Sequence, residues 1–234
     1  MRKRVWQGQL LLLLYQAVPI GAERDSSGKY RVTVGFGAGQ WENQRFDCQG
    51  NLVSASQVPY SSWGAQLDAW PSPQVRVTGF GGTFQPQPED ESAQDYYGPF
   101  GGGLVAFEGH YFGLGAGVMG ISGYDGQLVP SGYLRLGSIY SAHFRADLFP
   151  PTPVLGSTGW FRAGVGYRDG RERRTSGFLG IAIPPIYGED AMFTGSVRLP
   201  VGRRLAVHLD AIVGPGKEHT QGGAAFGLRY DFGR

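Results

Sequence analysis

The stretch RLAVHLDAIV, residues 204–213, decides the fold. Leu205, Val207, Leu209, Ala211 and Val213 fall on one side of an extended chain, and Arg204, His208 and Asp210 fall on the other. An alternation of period two is the pattern of a strand with two unlike faces, because successive side chains of a β-strand point in opposite directions. A helix with this order of residues would scatter its charges around the axis.

The same alternation recurs along the chain. YRVTVGFGAGQW (30–41) sets Tyr30, Val32, Val34, Phe36 and Ala38 against Arg31, Thr33, Gly35, Gly37 and Gly39. YFGLGAGVMG (111–120), SAHFRADLF (141–149), WFRAGVGYR (160–168) and AFGLRYDF (225–232) behave alike. Weaker segments at 61–69, 74–84, 98–107, 131–138, 176–184 and 191–199 bring the expectation to twelve strands, within a range of ten to fourteen. Between them, longer polar connections (42–60, 85–97, 120–131, 149–158, 184–190, 213–222) alternate with shorter turns (69–73, 108–110, 138–140, 169–175, 200–203). The turn near Ile139 has neither Gly nor Pro, but without it one strand would run through nineteen residues, roughly 63 Å. Face parity carries through it, so a three-residue turn is the expectation.

Composition bounds the rest. Glycine accounts for 40 of 234 residues, about one in six against an average near 7%. The 31 aromatic residues argue against a disordered chain. GFGAG and GLGAG are not phosphate loops, because their glycines alternate within strands and no helix follows. The opening MRKRVWQGQLLLLLYQAVPIGAERD carries a basic cluster, a short apolar run and Ile20-Gly21-Ala22 as a cleavage site, so residues 1–22 read as a signal peptide and 23–234 as one domain. Removing Arg2, Lys3 and Arg4 takes the basic residues from 21 to 18 against 19 acidic ones. The mature chain is then nearly neutral, which argues against nucleic-acid binding. Cys48 is the sole cysteine and reads as an incidental loop residue.

Periodicity does not say which face meets water. Export, an even number of strands of about nine to eleven residues, alternating loop lengths and aromatics near strand ends all favour the inverted arrangement, with the apolar face toward lipid. The aromatics expected to form two interfacial girdles are Tyr30, Trp41, Trp63, Trp70, Tyr111, Tyr133, Trp160, Tyr167, Tyr187 and Tyr230. At the chain end, Gly227, Tyr230 and Phe232 form a glycine followed by aromatic-x-aromatic. This resembles the C-terminal assembly signal of bacterial outer-membrane proteins, although Gly233 and Arg234 follow where that pattern ends on the aromatic. The resemblance implies insertion by the barrel assembly machinery. The expectation is therefore an all-β transmembrane antiparallel up-and-down barrel in the outer membrane of a Gram-negative bacterium, both chain ends in the periplasm. Its partners would be outer-membrane lipid, lipopolysaccharide, and other envelope proteins reached through the long loops. Glycines on the inner face would let the wall curve and leave room for large neighbours.

That inner face is expected to hold Arg31, Arg76, Arg135, Arg145, Arg162, Arg168, Arg198, Arg204 and Arg229, with His208, Asp68, Asp147, Asp210 and Asp231, and Glu108 near a turn. Two readings follow: a self-neutralising network that fills the lumen, or a water-filled passage whose surplus guanidinium groups favour anions. In size, strand count and basic lining the chain is similar to the small acidic-sugar porins of enteric bacteria, which implies a non-enzymatic passage for small anionic solutes. A closed barrel serving as a scaffold, or as the membrane part of a larger envelope complex, is the alternative. His208-x-Asp210 resembles the His/Asp pair of omptin proteases without their second acid pair, which leaves a barrel hydrolase as a third reading. His143 would lie near the short-turn end, away from where an outer-leaflet lipid hydrolase works. The acidic loop with Glu89, Asp90, Glu91 and Asp95 has no EF-hand spacing, and His110, His143, His208 and His219 have no zinc-ligand spacing. No cofactor or metal is expected. N-terminal sequencing of the protein from an outer-membrane fraction should begin at Glu23; a chain that keeps Met1 would overturn the signal-peptide reading.

Overall fold

The computed structural model describes residues 30–49, 51–72, 74–86, 98–121, 127–148, 161–168, 175–183, 191–216, 218 and 220–232. Twelve strands follow one another: β1 (Tyr30–Phe46), β2 (Leu52–Ser72), β3 (Val75–Pro86), β4 (Gly98–Glu108), β5 (Phe112–Ile121), β6 (Gln127–Gly137), β7 (Ala142–Leu148), β8 (Phe161–Tyr167), β9 (Ser176–Ile183), β10 (Met192–Pro200), β11 (Leu205–Pro215) and β12 (Thr220–Phe232). Each pairs antiparallel with its sequence neighbours, and β12 returns to pair with β1, so the sheet is a closed barrel. The seam runs from Tyr30 opposite Phe232 to Gln40 opposite Gly222. Closure leaves no free sheet edge along that height.

The outer surface is apolar. Val34, Phe36, Leu67, Val105, Leu114, Val118, Val165, Leu179, Phe193, Leu209, Phe226 and Leu228 are all exposed. Their neighbours in sequence, among them Thr33, Gln66, Thr78, Arg145, Arg162, His208 and Arg229, are buried inside the wall. A water-soluble barrel would do the reverse, so this is the surface of a transmembrane barrel. Among the described residues no helix is long and apolar enough to cross a membrane.

Both chain ends of the barrel lie at the end of the short turns. There the turn near Ile139 joins β6 to β7, with Gly137 opposite His143 as the last registered pair. Leu136 and Phe144 both remain outside, so parity is kept, and the connection between the strands is residues 138–141 rather than three residues. Gly137 has φ +113, a conformation open to glycine and strained for a residue with Cβ. Residues 1–22, the acidic loop with Glu89, Asp90, Glu91 and Asp95, and His219 lie outside the described residues.

Two expected loops are largely strand. β1 and β2 stay paired to Phe46 opposite Leu52, leaving only 47–51 as the turn, and β11 and β12 stay paired to Pro215 opposite Thr220. Above the bilayer both faces of a ribbon meet water, so the apolar alternation disappears while the backbone ladder continues. β2, at 21 residues, is about twice the nine to eleven residues a tilted crossing needs. The arm formed by 41–59 extends past the last pair that β1 makes with β12 and the last that β2 makes with β3, at Tyr60 opposite Pro86. At its base Glu42 accepts the Glu218 N–H at 2.8 Å, and the Gln57 side-chain amide donates to the Thr220 carbonyl at 3.2 Å.

The aromatic girdles need two corrections. Tyr133 is only 4% exposed and points inward, and Trp70 lies on the inner parity of β2 beneath the Arg31 guanidinium, 4.8 Å from its centroid. Each has a polar atom that suits a lumen, which the strand-end rule does not weigh. Tyr30, Trp63, Tyr111, Tyr167 and Tyr230 are exposed. Trp160, Tyr187 and the Trp41 side chain lie outside the described residues.

Because Leu209 stands mid-strand on the lipid face, Leu209→Arg should destabilise the folded barrel by about 2–4 kcal/mol. Guanidinium unfolding in phosphatidylcholine vesicles measures this, and a loss below the error of the measurement would contradict the assigned lipid face.

Candidate functional site: the charged interior

The charged interior is organised around shared carboxylates. On β7, Asp147 receives the Arg145 Nε at 2.8 Å and, from β8, the Arg162 Nη2 at 2.8 Å. Arg162 is placed for this by register, since it stands directly opposite Asp147. On β12, Asp231 accepts the Arg31 Nε from β1 at 2.7 Å and the Arg229 Nη2 at 2.8 Å. On β4, Glu108 accepts the Tyr133 hydroxyl at 2.7 Å and stands 2.8 Å from the Arg76 Nη2. Asp68 on β2 accepts the Thr78 hydroxyl at 2.6 Å and the Gln66 amide at 2.8 Å, with Arg76 Nη1 at 3.6 Å. Such charge-assisted bonds are the form in which buried arginine is tolerated.

Aromatic faces complete the packing. The Arg145 guanidinium lies 4.8 Å from the Tyr133 ring centroid, and that of Arg162 lies 4.4 Å from the Phe178 centroid. The glycines provide the space. A Cβ at Gly115 would strike the Tyr133 ring, one at Gly164 or Gly180 would strike Phe178, and one at Gly166 would run into His143. The narrow wall thus holds large side chains because the strand opposite carries none.

Arg135 does something else. It faces Arg145 directly across the ladder, an unfavourable placement for like charges. Its guanidinium turns away to the short-turn end, donating to the Gly137 carbonyl at 2.6 Å and to the Gly109 carbonyl. It therefore acts as a cap for two turns. Two of the expected lining residues are not in the lumen. Arg204 is exposed in the turn before β11, and Arg168 follows β8 with φ 50 and its guanidinium over the outward-facing Tyr167 ring at 5.1 Å. Each stands one residue beyond its strand, where the alternation no longer sets a face. Arg31, Arg76, Arg145, Arg162, Arg198, His208, Asp210 and Arg229 are all buried inside.

Nearer the long-loop end the interior becomes apolar. Phe80 and Met119 pack together with Phe100 and Val129, and Ala182, Met192 and Ile212 form a second cluster. Inward alanines, methionines and phenylalanines are not distinguishable by type from outward ones, so alternation alone underreported this layer.

His208 and Asp210 sit on β11, opposite Arg198 and Ser196 of β10. The His208 Nε2 and Asp210 Oδ2 are 2.9 Å apart, an ion pair when the imidazole is protonated. His208 Nδ1 and the Ser196 hydroxyl are buried without a hydrogen-bond partner among the described residues. No three metal-ligating side chains come together among the described residues. Of the assembly signal, Gly227 faces inward and Tyr230 outward, and Phe232 stacks at 6.0 Å on Tyr30 and at 6.2 Å on Tyr230.

No family model and no curated protein matches the chain. Among solved structures it is similar to an engineered variant of the Rh. blastica porin, with 9% identity, TM-score 0.39, and coverage of 87% of this chain and 98% of that one. It is also similar to outer membrane phospholipase A from Escherichia coli, with 10% identity, TM-score 0.42, and coverage of 99% and 98%. At these scores the likeness adds nothing to the barrel geometry itself.

Asp147 is the most deeply shared carboxylate. Replacing it with alanine leaves Arg145 and Arg162 facing each other in a buried layer, and should cost about 3–5 kcal/mol in guanidinium unfolding. Asp147→Asn, which keeps an acceptor oxygen but not the charge, should cost less; equal losses for the two variants would mean that the charge alone matters and the retained acceptor contributes nothing.

Proposed function

We propose that this outer-membrane barrel is not an enzyme and that its arginines serve the wall rather than a solute. The observation that carries this reading is the commitment of the carboxylates: Asp147 and Asp231 each hold two arginines, and Glu108 holds Arg76 and Tyr133. Arg76, Arg135 and Arg145 are at most 1% exposed, and a guanidinium that selects passing anions needs to meet them. With the charged layer fixed, the surfaces left for work are the long-loop end and the arm, in keeping with a scaffold or with the membrane part of a larger envelope complex.

One observation favours a second reading, a narrow arginine-lined passage for small anionic solutes. Among the described residues, seven inward arginines (Arg31, Arg76, Arg135, Arg145, Arg162, Arg198, Arg229) face five inward carboxylates (Asp68, Glu108, Asp147, Asp210, Asp231), a positive surplus within that set. A barrel hydrolase would have to use His208 and Asp210, the one His/Asp contact described inside.

A planar bilayer with a salt gradient separates the first two readings. The refolded mature protein should insert without discrete conductance steps, and the double variant Arg145→Ala, Arg162→Ala should mainly lower thermal stability. Steps with an anion-favouring reversal potential that this double variant removes would establish the passage and end the fixed-wall reading.

A further inference from the structure

The short turns differ in charge around the rim. The connections from β2 to β3 (73–74), β4 to β5 (109–111) and β6 to β7 (138–141) contain no lysine, arginine, aspartate or glutamate. The two that follow are basic. Arg168 stands just after β8, and Arg203 and Arg204 stand just before β11. Residues 169–174, outside the described ones, carry three arginines and two acids.

These three arginines are unlike those of the interior. Arg203 and Arg204 are exposed, and Arg168 is half-buried. None of them has a carboxylate partner among the described residues. The described acids nearest this end, Asp68, Glu108 and Asp231, are buried and face inward arginines. Each of the three also borders the lipid face. The Arg168 guanidinium lies 5.1 Å from the centroid of the Tyr167 ring, which is exposed on the outer surface. Leu205, next to Arg204, faces outward opposite Tyr230, and Val201 in the same turn is exposed. Outward tyrosines at strand ends mark the depth at which acyl chains give way to headgroups. A cation at that depth meets lipid phosphate, and a guanidinium fork fits phosphate oxygens.

We infer that the arc of the rim from the end of β8 to the start of β11 selects anionic phospholipid in the leaflet on the short-turn side. β8 and β11 are three strand spacings apart, about 14 Å, so Arg168 and the Arg203–Arg204 pair meet separate headgroups. The surface is a selective stretch of the lipid annulus rather than a pocket. A lipid fits it better than a soluble anion, because the exposed Val201, Leu205, Tyr167 and Tyr230 beside the arginines are covered by acyl chains. The attraction adds up arginine by arginine and is screened by salt. The uncharged turns from β2 to β7 supply no such attraction, so the barrel is one-sided toward its lipid. The inference is independent of whether the barrel conducts.

Electron spin resonance of the refolded mature protein in phosphatidylcholine vesicles tests it, with chain-labelled phosphatidylglycerol or phosphatidylcholine as the probe. Phosphatidylglycerol should show the larger motionally restricted fraction, with a preference of severalfold at low ionic strength that falls as salt is added. The triple variant Arg168→Gln, Arg203→Gln, Arg204→Gln should bring the two fractions together, and lysine at all three positions should keep most of the preference. If the glutamine triple does not insert, Arg203→Gln, Arg204→Gln alone should give an intermediate value. Equal fractions for the two lipids with wild-type protein would overturn the inference, as would a preference unchanged in an inserted glutamine variant. Competition by soluble glycerol phosphate that abolishes the preference would assign the arginines to a soluble phosphate and overturn the membrane source. Binding to isolated peptidoglycan that the glutamine triple loses, without any lipid preference, would overturn it in favour of the cell wall.

Discussion

A backbone in hydrocarbon has no water to bond with. Every N–H and C=O of the crossing segments must be paired inside the chain, and a sheet achieves this only when its last strand meets its first. The seam between β1 and β12 meets that demand, with each residue from Tyr30 to Gln40 opposite a residue of β12. Once the sheet is closed and its outside is given to lipid, the polar half of every alternating strand has one place to go. The interior must then solve a second problem, which is to hold many polar groups away from bulk water.

Glycine and shared carboxylates solve it together. Large interior side chains such as Tyr133, Phe178 and His143 are seated over glycines of neighbouring strands. Arginines are seated over aromatic rings and tied to acids between them. Arg135 turns to backbone carbonyls at the short turns. The outcome is a layered interior: guanidinium and carboxylate nearer the short turns, and apolar clusters nearer the long loops.

Much of this was legible in the sequence, because period-two alternation is a direct record of a two-faced wall. The stretch 204–213 identifies its inward His208 and Asp210 without any partner known, and the C-terminal stretch places Arg229 and Asp231 correctly on the inner side. The pairing of Asp147 with Arg162 was not legible, since it depends on which residues stand opposite one another across strands. Tyr133 and Trp70 were assigned to the lipid interface by their type and position, although a hydroxyl and an indole N–H serve equally well in a polar lumen. Arg168 and Arg204 show the remaining weakness. A strand's last residue and the first residue of the following turn look alike in a list of alternating letters. The long arm was hidden for a related reason, because a ribbon wetted on both faces leaves no hydrophobic signature.

That arm has a mechanical meaning. β1 belongs both to the arm and to the seam, and the arm carries the exposed Cys48 in the turn at its tip. Beyond the wall, the described residues hold it through Glu42 and Gln57, both gripping the turn between β11 and β12. The arm is thus a lever whose fulcrum is the junction of the first and last strands. A load applied to the arm would pass through β1 into the joint that connects the two ends of the chain and through β2 into β3.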